Sequence, residues 1–201
     1  RNIPLDFNAV VGRGGLSKAV ESGVYRVNPQ MIEDQRKAVH QHPCDLGCKL
    51  AYDIAEMIPG CQSFIADPGV VDEMIPEAHI TGLPETPRIC IWHALNQKAV
   101  GRRYAREHNT QYNKLNLIIA HLGGGISFAA HRQGRAIDAN NALSGDGPFS
   151  PERTGTLPMS GIVRLCYHSG LTEEQMMKKI TSQGGLLAHL GTNDFREIRK
   201  R

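Results

Sequence analysis

The chain has 201 residues, of which 40% are hydrophobic and 21% charged, with a formal net charge of +3. That length and balance suit one or two globular domains with a sizeable core. The basic residues are dispersed, apart from the Arg196 to Arg201 end, which argues against a nucleic-acid partner. No apolar run reaches membrane-spanning length, and Arg1-Asn2-Ile3-Pro4-Leu5-Asp6 lacks a signal-peptide pattern.

The first residue is not Met, which fits a chain that begins inside a longer polypeptide. Five cysteines, an odd and irregularly spaced set, point to reduced thiols and a cytoplasmic setting. Cys44 and Cys48 lie near His40 and His42, but no second Cys/His pair completes a zinc site.

Asp6 to Gly15 is a short β-branched run that ends in Gly12-Arg13-Gly14-Gly15. Arg13 there is either a solvated turn residue or a planar fork for an anion. Residues 23–30 read as a strand leading into an Asn28-Pro29 turn. Asp45 to Met57 has helical spacing, with Leu46, Leu50, Ile54, Met57 and Ile58 on its apolar face, and Pro59-Gly60 stops it. His42 precedes this helix, either as a loop residue or facing an anion at its N-terminus. Cys61 to Ala66 reads as a buried strand. Asp67, at its carboxyl end, is a capping residue or a catalytic or metal ligand.

Residues 68–90 hold four prolines and little periodicity, and read as a crossing between two lobes. Trp92 to Glu107 predicts a helix with Leu95, Ala99 and Val100 on one face and Lys98, Arg102, Arg103 and Arg106 mostly on the other. His93 lies at its start. Leu117–Ala120, Ile126–Ala130 and Arg135–Asp138 then predict an antiparallel meander. Its first turn is His121-Leu122-Gly123-Gly124-Gly125. Three glycines let backbone N–H groups approach a ligand, so this is either a phosphate cradle with His121 beside it or a flexible hairpin. The polar loop 140–158 is long enough to be functional, and Arg153 is its anion-binding candidate. Helices are predicted over Met159–His168 and Glu173–Ile180, with Thr172 capping the second. Gly184-Gly185 is expected to break the chain, and Asn193 to cap a last helix running to Lys200.

Two cations, a carboxylate and a His near backbone N–H groups are what phosphoryl transfer requires, since its catalysis is mostly positioning and neutralisation. There is no Gly-Lys-Ser/Thr, so the phosphate loop is not a Walker A loop.

Residues 121–127, 134–143 and 147–158 resemble the butyrate kinases of the acetokinase family. So do Val10–Gly15, Asp67-Pro68 with Val71-Asp72-Glu73, His93–Val100 and Gly191–Asp194, all in collinear order. The resemblance implies an α/β fold of two ribonuclease-H-like lobes, as in acetate kinases, sugar kinases, heat-shock chaperones and actin. Residues 1–72 would be the rest of the N-terminal lobe, and 73–201 the first part of the C-terminal, nucleotide-binding lobe. It implies reversible transfer between ATP and a short-chain carboxylate, with Mg²⁺, giving ADP and an acyl phosphate. It also implies a homo-oligomer.

Carried over residue by residue, the resemblance has His121 opening the phosphate loop with Gly123, Gly124 and Gly125. Arg153 would stabilise the transferring group or the acyl carboxylate. Asp67 would serve the metal or orient the attacking carboxylate. His93 and His42 match active-site histidines, although Pro43-Cys44-Asp45 departs from the Asn-containing acetate kinase pattern, and Arg13 falls in the substrate loop. The family's first phosphate hairpin would precede Arg1, and its adenosine pocket would follow Arg201. The chain is therefore expected to be an internal fragment with weak or absent activity alone. A non-catalytic nucleotide-binding protein and an alcohol kinase of the same fold are the other readings.

Overall fold

The computed structural model describes residues 6–15, 18–37 and 42–200; His40 lies outside them. Among the described residues no group of three His, Cys, Asp or Glu side chains is placed to hold a metal ion.

The first sheet has β3 (Gln62–Ala66) at its centre, parallel to β1 (Ala9–Gly12) and antiparallel to β2 (Val24–Arg26). Between β2 and β3 run α1 (Pro29–Arg36) and α2 (Leu46–Glu56). The Asn28-Pro29 pair, expected to make a turn, starts α1. Asn28 is the N-cap, its Oδ1 accepting from Met31 N at 2.9 Å, and Pro29 takes the first helical position, where its missing N–H costs nothing.

Helix α2 forms as expected but presents the other face. It buries Cys48, Ala51 and Ala55, with Ile58 just beyond, while Leu50 is 53% and Met57 74% exposed. The reason is close approach: a Cβ at Gly12 on β1 would overlap the Gly47 carbonyl and touch Ala51. Only small side chains fit between helix and sheet there. Val27, Cys48 and Ile65 form the core of this half.

The proline-rich stretch 68–90 holds a short 3₁₀ turn, Pro76–His79, and is pinned throughout. Val20 bridges to Val71, Ile91 bridges to Asn141, and Trp92 Nε1 donates to Val71 O at 2.7 Å. Arg88 donates to Ala78 O and to Asp138 Oδ1, both at 2.9 Å.

Helix α3 (Ala94–Glu107) also turns a face other than the predicted one. Ala94, Gln97, Lys98, Gly101 and Ala105 are buried, and Ala99 and Val100 are exposed. Lys98 is inward because Glu73 Oε2 lies 2.7 Å from its Nζ and the Gly134 carbonyl accepts a second hydrogen bond. A buried charge persists only with such partners.

The meander forms as expected: β4 (Asn116–Leu122), β5 (Ile126–Arg132) and β6 (Arg135–Ala139). The larger core cluster packs its small inward residues, Ala129, Ala136 and Ala139, against Val71, Met74, Cys90 and Trp92.

Four helices follow: α4 (Met159–His168), α5 (Glu173–Ser182), α6 (Gly185–Leu190) and α7 (Phe195–Ile198). Thr172 caps α5 in a reciprocal box with Gln175. Gly184-Gly185 breaks the helical run as expected, separating α5 from α6, which begins at Gly185. A Cβ at Gly185, whose φ is +60°, would overlap the Ser150 carbonyl, so these glycines let the helix start lie on the 150–154 loop. The last helix is four residues long and capped by Asp194, not Asn193, because the Asp194 carboxylate accepts from Arg196 N.

Candidate active site

The β4–β5 hairpin builds the first wall. Its register pairs His121 with Ser127, and directly opposed residues of an antiparallel pair share a face. The N-terminus of α3 covers that face. His93, the N-cap position of α3, stacks on His121 with ring centroids 3.6 Å apart and planes 4° from parallel. His93 Nδ1 lies 2.8 Å from Ser127 Oγ, and Asn96 Nδ2 lies 2.9 Å from His121 Nδ1.

The three glycines at the hairpin tip supply space rather than unusual dihedrals, since none of them has a positive φ. A Cβ at Gly125 would overlap the Arg153 guanidinium, and one at Gly123 would press on His121 Nε2. The tip is held in place. Gly123 N donates to Gly125 O at 3.2 Å, and Ser150 Oγ donates to Gly124 O at 2.6 Å.

Arg153 comes from the long loop, which is ordered by its own polar residues. Asn141 Oδ1 accepts from Leu143 N and Ser144 N, and Asn140 ties the loop to Phe128 and Ile126. Ser150 Oγ accepts from Arg153 N at 3.1 Å, and Thr154 N donates to Ile180 O on α5. Arg153 Nη1 donates to Ala142 O at 2.6 Å, while its buried Nε has no partner. No carboxylate forms an ion pair with this guanidinium among the described residues.

The second wall comes from the first sheet. Arg13 follows β1, in a turn where Gly14 has φ +77° and lies against Pro68. Asp67 follows β3 with φ +38°, a strained value for a residue with a side chain, of a kind that costs about 1–3 kcal/mol and clusters at functional sites. Its carboxylate holds the position: Oδ1 accepts from Ser22 Oγ at 2.6 Å and Gly23 N at 2.9 Å, and Oδ2 lies 3.5 Å from Arg102 Nη1. His42 caps the 3₁₀ turn Pro43–Asp45, its Nδ1 accepting from Cys44 N while Asp45 accepts from His42 N.

All six side chains singled out by sequence, Arg13, His42, Asp67, His93, His121 and Arg153, line one cavity of about 480 Å³. Gly14, Gly15 and Gly69 complete its polar rim, and Cys44, Ile91 and Leu143 form an apolar patch in its wall. Gly123, Gly124 and Gly125 stand behind His121 and Arg153.

The site is electropositive in character. Burial pushes the His93 imidazole down to about 4, with His121, Arg153, Arg13 and His42 adding to the effect. Burial and then Arg13 lower His121. Burial and then Arg153 lower His42 against the pull of the Asp45 carboxylate. Burial likewise lowers Arg153 below the ordinary guanidinium value. Three neutral imidazoles and two guanidinium groups with no ion-pair partner among the described residues suit a bound anion, which would oppose each of these shifts.

Sequence reasoning missed Ser127, Gln97, Asn96 and the apolar patch. Ser127 is a fully buried polar residue at an inward position of β5, and Gln97 follows His93 by one helical turn. Both signals were present, but a polar residue facing inward is recognisable only once its strand and helix are oriented.

The acetokinase family model matches residues 88–201. A probable butyrate kinase of Bacteroides thetaiotaomicron is 54% identical over 198 residues, which cover 98% of this chain and 56% of that protein. Butyrate kinase 2 of Clostridium acetobutylicum is 50% identical over 194 residues, 96% of this chain and 54% of that one. Among solved structures, Porphyromonas gingivalis acetate kinase matches with a TM-score of 0.78 at 23% identity, covering 96% of this chain and 51% of that chain. A Francisella tularensis propionate kinase matches with a TM-score of 0.70 at 20% identity, over 92% and 52% of the two chains. These structures share the mixed α/β fold. The chain spans about half the length of the curated relatives it matches. With a family model covering more than half of its residues, and relatives half identical along nearly all of it, the chain belongs to the acetokinase family.

Proposed function

We propose that these residues serve reversible phosphoryl transfer between ATP and a short-chain carboxylate, butyrate or a branched acid of similar size, giving ADP and the acyl phosphate. One observation carries the reading. Arg13, Arg153 and three neutral imidazoles converge on a cavity whose wall also holds Cys44, Ile91 and Leu143. A cationic rim with an apolar patch fits a carboxylate bearing a short aliphatic chain. The curated names of the half-identical relatives support the same reaction class.

In this reading Arg153 faces the group in flight, where charge spreads over the equatorial phosphoryl oxygens, and Arg13 orients the carboxylate. His93, His121 and His42 offer N–H donors without adding charge. The carboxylate attacks in line and needs no general base, unlike the hydroxyl of an alcohol kinase substrate. Mg²⁺ in such sites is held by one or two carboxylates plus phosphate oxygens and water. Asp67, through Oδ2, is the residue to hold it, and the ion would neutralise phosphate charge.

The test measures acyl hydroxamate formed from ATP, Mg²⁺, hydroxylamine and butyrate, isobutyrate, acetate or glycerol. It is run on the chain and on the complete reading frame that encodes it. Product from butyrate above acetate, reduced about 10²–10³-fold by Arg153→Ala, is the expected outcome. Folded protein that binds ATP yet makes no hydroxamate from any acid overturns the reading.

A further inference from the structure

The buried polar groups behind His93 form one continuous chain, and the chemistry of its members sets a direction. Gln97 Nε2 lies 3.2 Å from the Ser127 carbonyl, which can only accept, so the amide nitrogen faces Ser127 and the amide oxygen faces His131. His131 Nε2, 3.1 Å from that oxygen, must then carry a proton. Its Nδ1 is left to accept from Tyr112 OH at 2.6 Å. Burial pushes the Tyr112 phenol up to about 12, so it keeps its proton, and pushes His131 down to about 4, so it stays neutral.

At the other end, Ser127 Oγ accepts from Gln97 Nε2 at 2.9 Å and from His93 N at 3.3 Å. Those two donors use both lone pairs. Its third neighbour, His93 Nδ1 at 2.8 Å, can only be the acceptor of the serine proton. The remaining nitrogen of His93 has no hydrogen-bond partner among the described residues and is not sealed from the cavity that His93 lines.

We infer that Tyr112, His131, Gln97 and Ser127 form a one-way hydrogen-bond chain that fixes His93 as the neutral imidazole with its proton on Nε2, so that it offers the cavity an N–H donor. Tyr112 donates to His131, His131 to Gln97, Gln97 to Ser127 and Ser127 to His93. The four are positioning residues: they act on a ligand only through His93. The charged and titratable groups facing His93 are His121, Arg153, Arg13 and His42, and their positive field also disfavours a second proton on the ring. The use made of the donor, to hold an anionic phosphoryl or carboxylate oxygen, rests on the proposed kinase reading. The tautomer does not.

The test is ¹⁵N-histidine labelling of the full chain and long-range proton–nitrogen correlation at about pH 7, where an ordinary histidine is mostly neutral. His93→Gln assigns the signal. The expected result is the Nε2–H tautomer at His93 and at His131. An Nδ1–H or doubly protonated His93 overturns the inference. In Gln97→Glu a carboxylate takes the serine proton, so the Ser127–His93 end of the chain should reverse while His131 keeps its Nε2–H, and the pyridine-like and pyrrole-like resonances of His93 should change places. Ser127→Ala, which removes one oxygen and adds no bulk, guards against a misfolded Gln97 variant. It should leave His93 as a mixture of tautomers while His131 is unchanged. If His93 keeps a single Nε2–H tautomer without Ser127, the chain does not set it and the inference fails. An Nε2–H His93 whose bias is lost on Ser127→Ala, with no acyl hydroxamate from the unsubstituted protein of the complete reading frame, would keep the inference and sink the kinase reading alone.

Discussion

Helix α2 packs on the first sheet and α3 on the meander, and both turn inward a face other than the one their apolar residues suggest. They do so for different reasons. Helix α2 lies so close to β1 that only Gly47, Cys48, Ala51 and Ala55 fit, and its leucines are left outside. Helix α3 turns Gln97 and Lys98 inward because Ser127, His131 and Glu73 meet them with matched donors and acceptors. One helix is oriented by steric approach and the other by polar complementarity. Hydrophobic periodicity sees neither, because each depends on what the other side of the contact offers.

That difference predicts different responses to substitution. Glu73→Ala strands the Lys98 ammonium, 1% exposed, and should lower the free energy of unfolding by about 3–5 kcal/mol in urea titration. Glu73→Leu with Lys98→Met should recover part of that loss. Full recovery is not expected, since Ala136 N–H and the Gly134 carbonyl also lose their partners. If Glu73→Ala were silent, α3 would not be held by polar complementarity.

On the other helix, Gly12→Ala puts a methyl into the Gly47 carbonyl and should cost up to about 3 kcal/mol through overpacking. A neutral result would mean that α2 can move away from β1, and that contact distance does not choose its face.

Acid should act on the α3 wall. The folded pKa of His131, about 4, lies below its unfolded value near 6.5, so between those values the unfolded chain binds more protons. Stability is therefore full above about pH 6.5 and falls as the pH drops towards 4, by on the order of 3 kcal/mol from this residue. His93 acts in the same direction. Melting temperatures across that range check it, and a flat profile would show that the imidazoles are not buried as neutral groups.

The smallest effect is expected at the outward leucines. Leu50→Gln, at a position 53% exposed, should change stability by no more than about 0.5 kcal/mol in this chain. A larger loss would place Leu50 in contact with something in solution.

The meander, the glycine tip and five of the helices were legible because each depends on neighbours in sequence. Thr172 followed by Gln175 caps α5 wherever the helix lies. The Asn28-Pro29 pair was misread because that dipeptide suits a turn and a helix start alike. Of the site, the charged and Gly-flanked residues were legible as separate candidates. Ser127 and Gln97 were not, since nothing local to them marks a buried polar chain.

The sequence by itself determined the meander, five of the helices, the Thr172 cap and the family, all of which reside in short-range chemistry and collinear motifs. Only the tertiary structure decided which helix faces are buried, that the six candidates share one cavity, and that Gly125 is small to admit Arg153. Those outcomes depend on distances between residues far apart in the chain. A side chain finds its hydrogen-bond partner, or its clash, only where the backbone has already brought the two together.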